Sequence, residues 1–320
     1  MTMLSRVADT LFWMSRYLER AEHTARLLDV QLHMMLEAPA SAEKLWTRLL
    51  DSLYTDAPDA TRNDAYAVTR LLTFDTANGN SILSCIGAAR ENARHVREQI
   101  SSEMWEQINR LWLQVRSANL DHFWDEQPHE FFRAVKEGIH LFQGITDSTM
   151  NHGEGWQFIE VGRYLERTSS VARLLDCHYR AFSDTPIRAT IAGDFLQWTS
   201  LLKSCTAFEA YCKVYTADLR PDRILEFLLL TAEFPHSIRF SVNCTHAALV
   251  SIEKFTESKR ARHPNRLAGR LRATLDYAQV DEIVAGGLSL YLNGIQEECQ
   301  HIHDSIYRAY MTYPIEELVS

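Results

Sequence analysis

The stretch SRYLERAEHTARLLD, from Ser15 to Asp29, returns later in the chain as GRYLERTSSVARLLD, from Gly162 to Asp176. Ten of the fifteen positions are identical at a constant offset of 147 residues, without a gap. So long an ungapped match does not arise by chance, and self-similarity at a fixed offset is the sequence signature of a repeat. We therefore interpret the chain as a tandem duplication, with a first helical repeat over residues 1–151 and a second over residues 152–320.

Shorter matches extend the repeat over the rest of the chain. They pair Trp46-Thr47 with Trp198-Thr199, Ser81-Ile82 with Ser237-Ile238, Asn109-Arg110-Leu111 with Asn265-Arg266-Leu267, and Gly144-Ile145 with Gly294-Ile295. Small insertions and deletions account for the drift of the offset along the chain. We expect the two repeats to pack together as one compact unit with pseudo-twofold symmetry.

Helical periodicity dominates the sequence. Apolar residues recur every three or four positions over Leu11–Leu36, and Trp156–Phe182 is the counterpart of that helix. With only 12 Gly and 8 Pro in 320 residues, the chain lacks the turn residues that an all-β fold needs. The sequence therefore predicts an all-α fold, a compact helical bundle. Within it we expect single helices over Phe195–Tyr215 and Asp281–Met311.

The composition limits the classes of function. A net charge of −9 disfavours nonspecific binding to nucleic acid. No apolar run approaches the length of a membrane span, and Arg6 and Asp9 argue against a signal peptide. The six cysteines form no CxxC pair, which indicates reduced thiols. We expect a cytoplasmic protein that binds neither nucleic acid nor membrane.

One face of the repeated helix carries charge. On a helical projection Arg16, Glu19 and Arg20 share one arc. The apolar residues Phe12 and Leu27 lie on the same arc, at its two ends. An exposed face seldom carries apolar groups at both ends of a charged stripe, so we expect this face to be covered. Covered charges need partners, because removing one member of a buried ion pair costs roughly 3–5 kcal/mol.

The same arc of the second repeat carries Arg163, Glu166 and Arg167, and two interpretations stay open. In one, the repeated helices meet near the pseudo-twofold axis, where Glu19 bonds to Arg167 and Glu166 bonds to Arg20. Arginine forks suit such buried pairs. In the other, the arginines point into a pocket and bind an anionic group such as a carboxylate or phosphate. The two arcs are the first candidate site for a ligand or partner.

Several longer segments carry a resemblance to a known family. They are MLSRVADTLFWMSRYLERAEHTARLLD, RENARHVREQISSEMWEQIN, GITDSTM, WQFIEVGRYLER, FEAYCKVY and EFLLLTAEFPHSIRF. The chain resembles the bacterial alpha-E family, named for an α-helical domain with an ER motif, over essentially its whole length. The ER positions of that family fall on Glu19-Arg20 and Glu166-Arg167. One departure is His236, at a position where we expect an arginine.

The resemblance implies partners and a role. Genes of this family commonly lie beside a circularly permuted ATP-grasp ligase and a transglutaminase-like peptidase. This implies an accessory or substrate-binding subunit for an ATP-grasp peptide ligase that forms or processes a small peptide or amide, with no catalysis and no cofactor of its own. Two alternatives stay open: a peptide-modifying ligase or transferase with an Arg/Glu pocket, and a non-catalytic assembly scaffold.

A second candidate surface lies on a later helix of the first repeat, where Arg90, Glu91 and Arg94 follow one another closely. The spacing of Glu91 and Arg94 lets them pair on the helix surface. The second repeat has Ala247 in place of Glu91 and Val250 in place of Arg94, so the fold does not require these charges. We therefore expect the three residues to bind a ligand or partner, with a solvated face as the alternative.

Signals for metal or nucleophilic chemistry are weak. Glu137–His140 and Glu298–His301 have the ExxH spacing that helical bundles use in di-iron centres. The two pairs occupy non-equivalent positions in the repeats, so we predict no metal site. The sequence has no P-loop, Rossmann glycine pattern or GxSxG motif. Cys205 is typical of a buried helical thiol rather than of a nucleophile.

Overall fold

The computed structural model describes residues 3–37, 42–124, 128–183, 191–216, 218–256 and 262–311. Within these ranges the chain forms sixteen α-helices and one short π-helical segment, Tyr307–Met311, and no strand, which confirms the all-α prediction. The first eight helices are α1 (Ser5–Glu37), α2 (Ala42–Ser52), α3 (Asp59–Arg62), α4 (Ala65–Thr73), α5 (Ile82–His95), α6 (Ser102–Ser117), α7 (Leu120–Phe123) and α8 (Pro128–Thr149). The next eight are α9 (Glu154–Ser183), α10 (Ile191–Ser204), α11 (Phe208–Tyr215), α12 (Pro221–Leu230), α13 (Ile238–Thr256), α14 (Arg262–Asp276), α15 (Val280–Gly286) and α16 (Leu288–Ile306).

Two long helices form the centre of the fold. Helix α1 packs against α5, α8 and α9, and α9 packs in addition against α13 and α16. Phe12 and Leu27, on the charged arc of α1, are buried like the residues of its main apolar face. Both the apolar face and the charged face of α1 are thus covered. The apolar residues at the ends of the charged arc predict this arrangement. A helix that is covered on all sides lies in the core of a protein. Among the described helices, none combines the length and apolar character that a membrane crossing requires.

Helices α1 and α9 touch backbone to backbone at Gly162. A Cβ atom at this residue would come closer than 3.0 Å to the carbonyl oxygen of Phe12 and to the Oγ atom of Ser15. Because backbone atoms cannot yield as a flexible side chain does, the crossing requires glycine at residue 162. Ser15 and Gly162 are counterparts in the two repeats, and each ER motif begins four residues later. The crossing therefore brings the two motifs together.

Two of the predicted helices are shorter than the sequence indicates. The prediction of one helix over Phe195–Tyr215 is wrong, because the chain turns at Thr206 (φ 51°) and forms α10 and α11. The prediction of one helix over Asp281–Met311 is also wrong, because Gly287 (φ 99°) separates α15 from α16. A residue with positive φ cannot continue a right-handed helix. Apolar periodicity persists through both turns, so periodicity alone did not locate them.

The order of the helices agrees with two repeats. Helices α1 to α8 precede the predicted boundary and α9 to α16 follow it. Tyr54 and Thr206, offset by 152 residues like the flanking tryptophans, both have positive φ at the end of an equivalent helix. The duplication and its boundary between residues 151 and 152 stay our interpretation of the sequence. Residues 312–320 of the second repeat lie outside the described ranges.

Candidate functional site

The two ER motifs pair with each other across the contact of α1 and α9. Arg167 donates from Nε to Glu19 Oε1 at 2.5 Å and from Nη2 to Glu19 Oε2 at 2.9 Å. Arg20 donates from Nε to Glu166 Oε1 at 2.8 Å. The cross-pairing predicted from the charged arcs is confirmed. Each glutamate of one motif is thus held by the arginine of the other.

Both glutamates are buried and remain ionised. Burial by itself raises the pKa of Glu166, but the guanidinium groups of Arg16 and Arg20 outweigh it and lower the pKa to about 2. Burial likewise raises the pKa of Glu19, and the charge and hydrogen bonds of Arg167 reverse the effect, so that the pKa lies below its ordinary value. The arrangement is therefore a charged network at neutral pH.

The two halves of the network are not equivalent. Glu166 accepts a further hydrogen bond from Arg16 Nε at 2.7 Å, so two guanidinium groups share one carboxylate. Arg163, the counterpart of Arg16, instead donates to Glu160 at 2.6 Å on its own helix. The first repeat has Trp13 at the position of Glu160, and the Arg16 guanidinium lies 4.8 Å from the Trp13 ring centroid. The Glu166 side thus carries an excess of positive charge.

A cavity of about 190 Å³ opens on this positive side. Its charged and hydrogen-bonding lining includes Arg16, Arg20, His23, Asn80, Glu166, Ser169, Ser170 and Arg173. Three guanidinium groups therefore face one carboxylate, counted over the residues of the lining that the structure describes. Guanidinium groups bind carboxylate or phosphate through strong charge-assisted hydrogen bonds. The cavity has the charge and chemistry of a site for a small anion.

Asn80 reaches the cavity from the loop that precedes α5. The loop is held in place by Ser81, whose hydroxyl accepts a hydrogen bond from the Ser84 N–H and caps the helix. Arg20 Nη1 donates to Asn80 Oδ1 at 2.7 Å. With Nε on Glu166 and Nη1 on Asn80, the guanidinium of Arg20 is fixed in orientation. Such preorganisation lowers the entropic cost of binding an anion.

Arg173 completes the positive lining. Its counterpart Arg26 forms an ion pair with Glu22, one helical turn earlier, but the second repeat has Ser169 at that position. Arg173 donates to the backbone carbonyl of Asp51 at 3.1 Å and has no carboxylate partner among the described residues. Sequence analysis did not single out Arg173 or Asn80. For Arg173 the replacement of Glu22 by Ser169 was an available signal.

His23 contributes an uncharged polar wall. Burial lowers the pKa of His23 to about 4, which exceeds the opposing effect of the Glu19 and Glu166 carboxylates. The imidazole is therefore neutral at physiological pH. Its Nε2 atom is buried and has no hydrogen-bond partner in the described part of the chain. A buried polar atom without a partner is costly, which is one reason why His23 is confined to its neutral form.

The second candidate surface lies apart from this cavity. Arg90 donates to Glu91 at 2.7 Å, and Arg94 donates to the other oxygen of the same carboxylate at 2.8 Å. Arg90 also donates to Asn109 at 2.6 Å and lies 4.5 Å from the Trp112 ring centroid, which ties α5 to α6. None of Arg90, Glu91 and Arg94 lines the cavity. That they bind a ligand stays a prediction, separate from the ER site.

The two ExxH pairs engage ordinary protein partners. His140 Nε2 lies 3.4 Å from the carboxylate of Glu22, and Arg270 donates to both oxygens of Glu298 at 2.8 Å. Each pair lies on a helix, Glu137–His140 on α8 and Glu298–His301 on α16, as predicted. Glu298 is thus a partner in an ion pair, whereas burial lowers the pKa of His140, which contacts Glu22 as a neutral imidazole at neutral pH.

A different group has the geometry of metal ligands. The ligand atoms of Asp29, His33 and His129 lie within 4.8 Å of one another. Sequence analysis did not weigh Asp29 and His33, which are one helical turn apart. Lys136 Nζ lies 2.5 Å from Asp29 Oδ2, and His129 Nδ1 lies 2.8 Å from Asp29 Oδ1. The ammonium group already neutralises this carboxylate, so the group is accounted for as an ion-pair cluster that ties α8 to α1.

Relatives match the chain over nearly its whole length. An uncharacterised protein of Mycobacterium bovis (strain ATCC BAA-935 / AF2122/97) and one of Mycobacterium tuberculosis (strain CDC 1551 / Oshkosh) are each 23% identical to it over an alignment of 348 residues. The alignment covers 97% of this chain and 37% of each relative. The chain thus spans little more than a third of the length of the curated relatives it matches. No solved structure matches it significantly.

A family profile gives the relationship that the ER geometry suggests. Residues 3–311 match Alpha-E, described as a predicted alpha-helical domain with a conserved ER motif. The match covers all sixteen helices described above. The helical fold and the paired Glu-Arg motifs at its centre agree with that description, and the chain belongs to the Alpha-E family.

Proposed function

We propose that this chain is a non-catalytic accessory subunit that binds the carboxylate of a small peptide or peptide-like substrate for an ATP-grasp peptide ligase. The observation that carries the proposal is the cavity beside Glu166, where the guanidinium groups of Arg16, Arg20 and Arg173 outnumber the carboxylates. The family resemblance supports the identity of the partner enzyme. A transglutaminase-like peptidase is a second partner on the same ground.

The cavity is large enough to hold one end of a ligand but too small to hold a whole drug-sized molecule. A volume of about 190 Å³ is below the roughly 300–1,000 Å³ typical of drug-sized ligand sites. A carboxyl-terminal residue of a peptide fits this scale. We therefore expect the rest of the ligand to extend out of the cavity.

The ionisable groups near the cavity favour binding over catalysis. A general acid or base works best with a pKa near the operating pH. The pKa of Glu166 lies at about 2 and that of His23 at about 4, both far below neutrality. Cys205 does not line the cavity, and burial raises its pKa to about 12, so its thiol stays protonated and is a poor nucleophile. These three groups are therefore poorly suited to acid–base or nucleophilic catalysis at neutral pH.

The relatives support a role beside other functional units. In each of them the matched region is little more than a third of a longer chain. An accessory domain and the enzyme that it serves are expected to work in proximity, whether fused or separate. We place this encounter in the cytoplasm, where ATP is available, and expect neither nucleic acid nor a membrane as partner.

An assembly scaffold is the second candidate function. The observation that favours it is the Glu19–Arg167 pair, which is buried and directs its hydrogen bonds to protein atoms. In a scaffold the ion pairs around Glu166 would only stabilise the fold, and the adjacent cavity would bind no ligand. A measurement of ligand binding therefore distinguishes the two functions.

The binding test uses acetyl-Ala-Ala-Ala as the free acid and as its carboxyl amide, with affinity measured by isothermal titration calorimetry. We expect the acid to bind and the amide to bind at least about tenfold more weakly, equivalent to about 1.4 kcal/mol. Arg16→Gln should weaken binding of the acid. Arg133→Gln on α8, an exposed arginine paired with Glu130, is the matched control and should leave binding unchanged. Equal binding of acid and amide would overturn the carboxylate site.

The partner test measures product formation by the ATP-grasp ligase with and without this chain. We expect the wild-type chain to raise the rate of ligation, and Arg16→Gln to reduce that effect while still co-purifying with the ligase. A ligase that works equally well alone, but assembles only in the presence of the chain, would favour the scaffold. Failure to co-purify, with an unchanged rate of ligation, would remove the partnership.

A further inference from the structure

A second cavity lies next to the first along α9. Its volume is about 450 Å³, and three arginines line it: Arg48 from α2, and Arg173 and Arg180 from α9. Arg173 and Arg180 are seven residues apart, which places them on one face of the helix. Asp51 is the one carboxylate in the described lining. This cavity is also positively charged.

Arg173 belongs to both cavities. It lines the first together with Glu166 and the second together with Arg48. Its guanidinium lies 4.2 Å from the ring centroid of Tyr54, a residue that follows α2 and also lines the first cavity. Helix α9 and the end of α2 therefore contribute residues to the lining of both cavities. The seven residues from Glu166 to Arg173 correspond to about 10 Å along the helix axis.

Only part of the positive charge of the second cavity is neutralised by described side chains, because Arg180 pairs with Asp176 one helical turn earlier on α9. Asp51 is engaged by Arg62, whose Nη1 lies 3.2 Å from its carboxylate. Arg48 donates to the amide oxygen of Gln197 at 2.6 Å and has no carboxylate partner within the described residues. Burial lowers the pKa of Arg48 to about 10, as expected for a cation removed from water. A ligand carboxylate would offset this cost.

The residues at the equivalent positions of the other repeat do not form a second open pair of arginines. Ser200 stands at the position equivalent to Arg48. Arg26, the counterpart of Arg173, is buried and forms an ion pair with Glu22 on its own helix. The fold is built on that side without an open arginine pair. Packing alone therefore does not explain why Arg48 and Arg173 are present on this side.

We propose that the two cavities are successive subsites for one acidic peptide. The terminal carboxylate binds at Arg16 and Arg20, and a side-chain carboxylate binds at Arg48 and Arg173. An extended peptide covers about 3.3–3.6 Å per residue, so a separation of about 10 Å corresponds to an acidic residue some two or three positions before the carboxyl terminus. The inference rests on the proposed function of the first cavity and adds the substrate class.

The experiment compares two peptides that differ only in the acidic side chain, acetyl-Glu-Ala-Ala and acetyl-Gln-Ala-Ala, both as free acids, by isothermal titration calorimetry. We expect the wild-type chain to prefer the glutamate peptide by about tenfold, the size of one well-placed charged contact. Arg48→Gln should abolish this preference while it retains the affinity for the glutamine peptide. Arg48→Lys, which keeps the charge, should retain part of the preference. Arg20→Gln should weaken the binding of both peptides.

The outcomes separate the two proposals. Equal affinity of the wild-type chain for both peptides, together with weaker binding by Arg20→Gln, would overturn the second subsite and leave the carboxylate site intact. Failure of the wild-type chain to bind either peptide would overturn both proposals. If Arg48→Gln does not fold, Arg173→Gln replaces it, because Arg173 is the other arginine assigned to the side-chain carboxylate. A preference for the glutamate peptide that is unchanged in Arg173→Gln would then count against the subsite.

Discussion

Arg167 donates two hydrogen bonds to the carboxylate of Glu19 across the contact between the two longest helices, α1 and α9. The exposed fractions of the two side chains are 9% and 3%. Arg167 also donates to the backbone carbonyl of Pro235, before α13. The pair thus links three segments of the core. Removal of one partner leaves a buried charge without its counterpart.

We predict that Glu19→Gln and Arg167→Met each lower the free energy of unfolding by roughly 3–5 kcal/mol, the cost of leaving a buried charge unpaired. The double variant should lose less than the sum of the single losses, because it leaves no unpaired charge. Urea denaturation of the four proteins measures the coupling. The exposed pair Glu130 and Arg133 is the control, whose double-mutant cycle should show a coupling below about 1 kcal/mol. Strict additivity at Glu19 and Arg167 would remove the idea of cross-pairing.

The backbone contact at Gly162 predicts a strong effect of a single methyl group. Gly162→Ala places a Cβ against the Phe12 carbonyl, so the helices must separate, and we expect a loss of about 3 kcal/mol or more, the upper range for overpacking. Gly144→Ala is the matched control, because it is also helical and has no atom within 4 Å of the added Cβ. It should be neutral or stabilising by up to about 1 kcal/mol. Thermal unfolding followed by circular dichroism measures both, and similar melting temperatures for the two variants would contradict the tight crossing.

The contact of α1 with α9 and the ER pairing could be predicted from the sequence. A pocket at the arginines was one of the two open interpretations, but its position and the rest of its lining could not be predicted. Identity of the two stretches indicated equivalent helices, and the apolar flanks Phe12 and Leu27 indicated that the charges are covered. The cavity depends on Asn80 and Tyr54, which come from loops whose placement follows from long-range packing. The turn at Thr206 was missed because positive φ at a threonine has no signal in apolar periodicity, whereas the Gly286-Gly287 pair was an available turn signal. The replacement of Glu22 by Ser169 is visible in the alignment of the two repeats, and it indicates that Arg173 lacks the carboxylate partner of Arg26.

The structure separates the two arginines of the second candidate surface. Sequence reasoning predicts that replacing Arg90 and Arg94 together leaves the melting temperature nearly unchanged. Arg94 is exposed, so Arg94→Gln should change the free energy of unfolding by less than about 0.5 kcal/mol. Arg90 stacks on Trp112 and bonds to Asn109, so Arg90→Gln should cost about 1 kcal/mol or more. Chemical denaturation decides, and equal small effects of both replacements would show that the α5–α6 contact contributes nothing.

The buried imidazole of His23 predicts how stability depends on pH. Its pKa in the folded chain is about 4, below the ordinary value of 6.5, because burial disfavours the charged form. The unfolded chain therefore binds more protons than the folded chain between these two values. Stability contributed by neutral His23 is fully present above pH 6.5 and is lost as the pH falls toward 4. Buried His178 and partly buried His236, whose pKa values are also lowered, act in the same direction.

When the pH is lowered from 7 to 5, the free energy of unfolding should fall in both proteins. We predict that the fall is about 2 kcal/mol smaller in His23→Gln than in the wild-type chain. The comparison between two pH values cancels any constant cost of the substitution. Urea denaturation at both pH values measures the difference. A His23→Gln profile parallel to that of the wild-type chain would mean that His23 is already solvated and protonates freely. The cavity wall would then be charged at pH 5, and binding of a carboxylate should strengthen there, which the same peptide titration would detect.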